Sequence, residues 1–191
     1  MIDLTIFFDV DGVLINWLTP FHMFLREHGH AALGATEHRY PTLSAAGLRA
    51  HTLAFNESRA FRELQVSATT QAALWRLRHA LPRVAFHYVS ACGTLNTIQE
   101  ARRAQLKGLP DGDRVTCLKL GATKRPIFAS AARAMVVEDS PEHLRVAQEL
   151  GHFTVRVHQS WNEGCEAGRV GVRSVTEITP ELVKAMQERW V

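Results

Sequence analysis

Long apolar runs are missing from this sequence of 191 residues, and none reaches the length that crosses a bilayer. Cysteine is scarce too. Cys92, Cys117 and Cys165 are widely spaced and odd in number, which gives neither a disulfide framework nor a zinc-ligand pattern. No basic region followed by an apolar run opens the chain, so a secretory signal is not expected and a reducing, cytoplasmic setting is. A dense basic block is also absent. The net charge is +3 and the arginines are scattered, as at Arg76, Arg78 and Arg83 or Arg102 and Arg103, a distribution that reads as solvated helix faces. Neither a membrane nor a nucleic-acid polymer is expected as a partner, whereas a modest positive field favours a small anionic ligand. With no internal repeat and no low-complexity linker, the length suits one domain carrying a small insertion. Nothing in the sequence fixes an oligomeric state.

What is present is a 46% hydrophobic, 21% charged chain, ordinary for a globule with a substantial core. Short apolar runs alternate with helical segments, which predicts an α/β fold built on a parallel sheet. The expected strands are Leu4 to Phe8, Val84 to Val89, Val115 to Leu118, Met135 to Val137 and Phe153 to Val157. Between them, Thr69-Thr70 can cap a helix carrying Ala73, Leu74, Leu77 and Leu81, and Thr94 or Asn96 can open one through Leu106 that Gly108 and Pro110 end. Ser140-Pro141 and Thr179-Pro180 each place a cap before a proline at the first helical position, the first helix closing at Gly151 and the second running through Trp190. The stretch from about Asn16 to Ser67 breaks this rhythm. It carries Phe21, Phe24 and Leu25, then a region rich in Gly, Ala and His, then Phe55, Phe61 and Leu64, with no convincing strand. It reads as a mostly helical insertion that would overhang the carboxyl end of the first strand, where open α/β sheets bind ligands.

Asp9 and Asp11 stand at that end, in Ile6-Phe7-Phe8-Asp9-Val10-Asp11-Gly12-Val13. Residues i and i+2 of a strand point the same way, and two carboxylates that close repel each other unless a cation or a shared proton relieves them. Alone, the pair balances between a metal site and a plain Asp-Gly turn. Three further polar sites change that balance. Ser90-Ala91-Cys92-Gly93 follows the second strand, where a hydroxyl and helix-opening N–H groups make an anion cradle. Lys124 lies just before a helix start, and Glu138-Asp139 ends a later strand. Four such features in order, each at a strand's carboxyl end, point to a phosphoryl site.

The set Asp9-Val10-Asp11-Gly12-Val13, Ser90, Lys124 and Glu138-Asp139 resembles the four motifs of the haloacid dehalogenase (HAD)-like hydrolase superfamily, over about Leu4 to Val157. The resemblance implies a Rossmann-like core of parallel strands flanked by helices, formed by residues 1–15 and 68–191, with residues 16–67 as a small helical cap inserted after the first strand. It implies an Asp9 nucleophile that forms an aspartyl-phosphate, and an Asp11 that protonates the leaving group and then activates water. Mg²⁺ would be held by Asp9, the backbone carbonyl of Asp11 and Asp139, with Glu138 supporting it from behind. Ser90 and the Ala91 N–H would hold phosphate oxygens, and Lys124 would offset charge. Superfamily dehalogenases lack an acid at the position of Asp11, so its presence favours phosphate esters. The expected activity is therefore hydrolysis of a small phosphorylated metabolite, nucleotides included. A phosphomutase shares the motifs, and a catalytically silent binder of a phosphorylated ligand is the alternative from a different class. A response-regulator receiver also groups acids, a hydroxyl and a lysine, but its acidic pair ends the first strand and its phosphorylated Asp a later one.

Phe55-Asn56-Glu57-Ser58-Arg59-Ala60-Phe61-Arg62-Glu63-Leu64 and Asn16-Trp17 are similar to the cap of 5′(3′)-deoxyribonucleotidases, whose aromatics stack on the base. This sequence departs from that family in its Glu138-Asp139 and Ser90-Ala91 pairs, and Phe55 and Phe61 read first as packing residues. His22, His28 and His30 lack acids or cysteines at ligand spacing and read as surface or packing histidines. Cys92 reads as a small residue filling a tight turn.

Overall fold

The computed structural model describes residues 4–30, 40 and 42–188. Six strands form its sheet: β1 (Leu4–Asp9), β2 (Val84–Ser90), β3 (Val115–Cys117), β4 (Ala134–Glu138), β5 (Phe153–Val157) and β6 (Val170–Val172). All pair in parallel, in the order β3-β2-β1-β4-β5-β6. Central strands of such a sheet are covered on both faces and therefore read as continuous apolar runs. Accordingly, Ile6 and Phe8 pack into the larger core with Phe86, Tyr88, Met135 and Val137, while Phe7 turns to a smaller cluster with Val89, Val136 and Phe128. The sixth strand was not expected. It is three residues long with Gly171 at its centre, and a Cβ there would sit 2.3 Å from the His158 ring.

Eight helices accompany the sheet among the described residues: α1 (Leu18–Glu27), α2 (Ala45–Glu57), α3 (Arg59–Arg62), α4 (Ala68–Ala80), α5 (Asn96–Leu106), α6 (Arg125–Phe128), α7 (Pro141–Glu149) and α8 (Pro180–Glu188). Leu74 and Leu77 of α4, Ile98 and Leu106 of α5, and Val183 and Met186 of α8 cover one face, whereas Phe128 of α6 and Ala147 of α7 cover the other. The cap of α4 is Ser67 rather than Thr69 or Thr70: its hydroxyl accepts from the Thr70 N–H. Leu95 precedes α5 without a side-chain cap. Ser140 does precede Pro141 at the start of α7, but its side chain makes no capping bond.

Between β1 and α4 the described residues are helical, without a strand; most of the Gly-, Ala- and His-rich stretch, and Trp190 at the other end of the chain, lie outside the described residues. Trp17, Phe21, Phe24 and Phe55 interlock, with ring centroids 4.4 to 5.5 Å apart. Phe21, Leu25, Phe55 and Phe61 belong to the same apolar cluster as Phe8 and Tyr88, so this segment is anchored over one face of the sheet. His22 is buried, bonded to the Tyr40 hydroxyl. No helix of the described residues is long and apolar enough to cross a membrane.

Candidate active site

In this strand order the chain's crossovers diverge between β1 and β4, and the crevice beyond their carboxyl ends is where such sheets bind ligands. Asp9 ends β1 and Glu138 ends β4, with Asp139 next. After Asp9 the chain turns sharply: the Leu14 N–H donates to the Val10 carbonyl and the Gly12 N–H to the Ile15 carbonyl. Gly12 adopts φ +85°, and a Cβ there would come within 2.3 Å of Asp139 Oδ2. Glycine here lets the turn approach the second acidic pair.

The charged centre is desolvated. Lys124, only 2% exposed, donates to Asp9 Oδ1 at 2.5 Å and to Glu138 Oε2 at 2.6 Å. Glu138 Oε1 accepts from the Asp139 and Ser140 N–H groups, both at 3.1 Å, and His143 Nδ1 lies 3.5 Å from Oε2. Burial alone would raise the Glu138 carboxyl, but Lys124 and His143 outweigh it and hold it below the usual carboxylate range. Asp9 goes the other way: burial, then the charge of Glu138, push it up to about 7 against the pull of Lys124. Asp139 is likewise raised by burial, then by Asp9 and Glu138. Lys124 is raised because the attraction of Asp9 and Glu138 overcomes its own burial. One lysine thus faces three buried acids, an imbalance that a further cation would relieve.

Asp9, Glu138 and Asp139 can each offer a carboxylate oxygen, all within 4.8 Å of one another. An all-oxygen, anionic donor set suits a hard divalent cation such as Mg²⁺. Glu138 already has both oxygens engaged, so Asp9 and Asp139 are the freer donors. Asp139 is braced by its main chain, because Asn162 Nδ2 donates to its carbonyl and to that of Val157, both at 2.8 Å. Gln159 Nε2 donates to the Gly12 carbonyl at 2.6 Å, tying the loop after β5 to the turn after β1.

Asp11 and Ser90 meet away from this pair. Ser90 is fully buried, and its hydroxyl donates to Asp11 Oδ2 at 3.1 Å. Arg102 NH2 donates to both oxygens of Asp11, at 2.6 and 2.8 Å. Arg102 is completely buried, which corrects its reading as a solvated surface residue. The signal was in the helical register. Ile98, Arg102 and Leu106 are four apart and all buried, so the arginine stands on the inward stripe of α5.

A cavity of about 440 Å³ opens onto the cluster, lined by Asp9, Asp11, Ala91, Lys124, Glu138 and Asp139. Six of the seven sequence-derived residues therefore share one cavity, and Ser90 lies behind Asp11. Trp17, Leu18, Leu120 and Trp161, with Thr52, Asn56 and His143, also line the cavity. Trp17 Nε1 donates to Asn56 Oδ1 at 2.9 Å, and Asn56 Nδ2 to the Cys92 carbonyl at 2.8 Å, which fixes the indole in the cavity wall. Phe55 and Phe61 are fully buried and do not line the cavity. Gln159, Trp161 and Asn162 carried no signal in the sequence, and Asn56 only as a member of the cap-like run Phe55 to Leu64.

No family model matches the sequence, and no curated protein matches it. Solved structures do. A HAD family hydrolase from Deinococcus radiodurans with bound phosphate and sodium is 17% identical, with a TM-score of 0.66 over 95% of this chain and 96% of that one. An archaeal beta-phosphoglucomutase from Pyrococcus is 16% identical, with a TM-score of 0.62 over 97% and 99%. CbbY from Rhodobacter sphaeroides in complex with phosphate is 19% identical, with a TM-score of 0.56 over 93% and 96%.

Proposed function

We propose that this chain, which has the fold of the HAD-like hydrolases, is a Mg²⁺-dependent phosphomonoester hydrolase acting through an aspartyl-phosphate. The observation that carries the reading is the convergence of Asp9, Asp11, Lys124, Glu138 and Asp139 on one cavity at the β1–β4 crevice. In this reading residues 16–67 act as a cap over the catalytic core.

Asp9 attacks phosphorus, its orientation fixed by Lys124 on Oδ1. The phosphorus–ester oxygen bond breaks, and the departing oxygen takes a proton from Asp11. Water then attacks the aspartyl-phosphate and gives its proton to Asp11, and inorganic phosphate leaves with Asp9 restored. Lys124 offsets negative charge at the attacking carboxylate, while the Ala91 segment, which lines the cavity, receives phosphate oxygens. Asp9, Asp139 and the Asp11 carbonyl would hold the divalent cation, which supplies the positive charge that lets an anionic nucleophile meet an anionic phosphate.

The substrate is a monoester whose leaving group is compact and flat-faced, nucleosides among the candidates. Trp17 and Trp161 give the cavity wall aromatic faces, and Asn56 and Thr52 are uncharged hydrogen-bonding groups in the same wall. Similarity in fold to a beta-phosphoglucomutase favours phosphomutase action as a second reading. Against it, Lys124 is the only lysine or arginine among the described residues of the cavity wall, and two carboxylates already hold it. A second phosphate would find no cation there.

Phosphate release from an aryl phosphate, with Mg²⁺ and with EDTA, tests the reading. Mg²⁺-dependent turnover that Asp9→Asn abolishes supports it, and binding of phosphate esters without turnover leaves the silent binder instead. Isomerisation of a sugar phosphate that outpaces its hydrolysis would establish the mutase.

A further inference from the structure

Arg102 is a fully buried cation whose strongest partner is the carboxylate assigned to proton transfer. Its NH2 spans both oxygens of Asp11 at 2.6 and 2.8 Å. Around it, NH1 donates to Gln105 Oε1 at 2.9 Å, and the guanidinium lies 4.7 Å from the centroid of the Phe61 ring. Gln105 in turn donates to the Phe61 carbonyl at 2.5 Å. Arg102 Nε has no hydrogen-bond partner among the described residues.

This is an expensive arrangement if stability were its only purpose. Taking an arginine out of water costs several kcal/mol, on the order of what its ion pair returns, so well-packed apolar residues are often equal or better in such places. An unpaired Nε adds to the cost. The arrangement does, however, solve a positional problem. Asp11 has to reach the ester oxygen on one side of the phosphate while Asp9, two residues away, attacks from the other. Nothing from the Lys124–Glu138 pair reaches Asp11; Arg102 and Ser90 hold it.

We infer that Arg102 is a positioning residue for the proton-transfer acid: it fixes the Asp11 side chain at the wall of the cavity and, through Phe61 and Gln105, ties that position to the helical segment over the site. The inference rests on the hydrolase reading above. Its consequence is a selective defect. Loss of Arg102 leaves attack by Asp9 intact and impairs the two steps that need Asp11, protonation of the leaving oxygen and activation of water.

Leaving-group dependence reads this directly. In Arg102→Met, kcat on an alkyl phosphate, whose oxygen needs a proton, is expected to fall by about 10²-fold or more, the usual worth of a positioned acid. With 2,4-dinitrophenyl phosphate, whose oxygen departs unaided, the first turnover persists and hydrolysis of the phosphoenzyme lags. Rapid quench then shows a burst of dinitrophenol near one per site. Arg102→Lys keeps the charge but not the grip on both oxygens, and is expected to show the same pattern more mildly; it carries the test if the methionine variant does not fold. A loss equal for both esters and without a burst overturns the inference, since a merely structural role lowers all turnover alike. If the wild-type protein hydrolyses neither ester, the hydrolase reading itself fails, an outcome distinct from the first.

Discussion

Replacing Lys124 with methionine keeps the stem of the side chain and deletes its charge, which makes it the sharpest probe of the desolvated cluster. The ammonium is 2% exposed and lies 2.5 Å from Asp9 Oδ1 and 2.6 Å from Glu138 Oε2. Without it, two buried carboxylates lose the counter-charge they share. Removing one partner of a buried pair costs about 3–5 kcal/mol. At about 2–4 °C per kcal/mol for a chain of this size, Lys124→Met should melt about 6–20 °C lower than the wild type. Thermal melts in EDTA at pH 8 and pH 5 measure it. The deficit is expected to shrink at pH 5, where protonation relieves the unpaired acids. A deficit below about 1 kcal/mol, the range of exposed ion pairs, or one that ignores pH, would refute the premise that this cluster is shielded from water.

Gly12→Ala forces a Cβ to within 2.3 Å of Asp139 Oδ2 at a φ of +85°; the backbone alone should cost about 1–2 kcal/mol, and Mg²⁺ titrations followed by thermal shift should show weaker binding, unchanged affinity counting against Asp139 as a ligand. Asn162→Ala strips the Asp139 and Val157 carbonyls of their shared donor, and at about 1–3 kcal/mol per orphaned buried group denaturant unfolding should show a loss of that order or greater. The metal-free protein should lose stability between pH 5 and 8. A carboxyl raised by folding contributes stability that is whole below its unfolded value of 3.8 and is lost as pH rises through its folded value, about 7 for Asp9, with Asp139 shifted the same way. Glu138 is lowered instead, so its contribution is present above 4.5 and lost only in more acid solution. Saturating Mg²⁺ should flatten the decline, and a melting temperature that rises across this window in EDTA would contradict it.

The four longer strands, β1, β2, β4 and β5, were legible because each is a nearly unbroken apolar run, the mark of a strand buried on both faces; β3, only three residues and half-buried, was found from Val115-Thr116-Cys117 in its place between two helices. β6 was not, since Val170-Gly171-Val172 is too short to show a pattern, and its glycine answers to the His158 ring. In the site, Asp9, Asp11, Glu138 and Asp139 were legible because they lie at or just after the ends of β1 and β4, where open sheets bind ligands, and Lys124 because it stands just before α6. Arg102 was hidden by its chemistry. An arginine beside Arg103 on a polar helix looks solvated until its spacing from Ile98 and Leu106 is counted. Asn162 and Gln159 were beyond reach, because their partners, the carbonyls of Asp139 and Gly12, become neighbours only when the sheet is assembled.

The proposed reaction turns on Asp9 as the nucleophile toward phosphorus. An acid-quenched single turnover of an aryl phosphate with Mg²⁺, mapped by mass spectrometry, tests this most directly. The account predicts one phosphoryl group on Asp9, and none on an Asp9→Asn protein that has also lost turnover. Turnover with the phosphoryl group on another residue, or undiminished in Asp9→Asn, would contradict it.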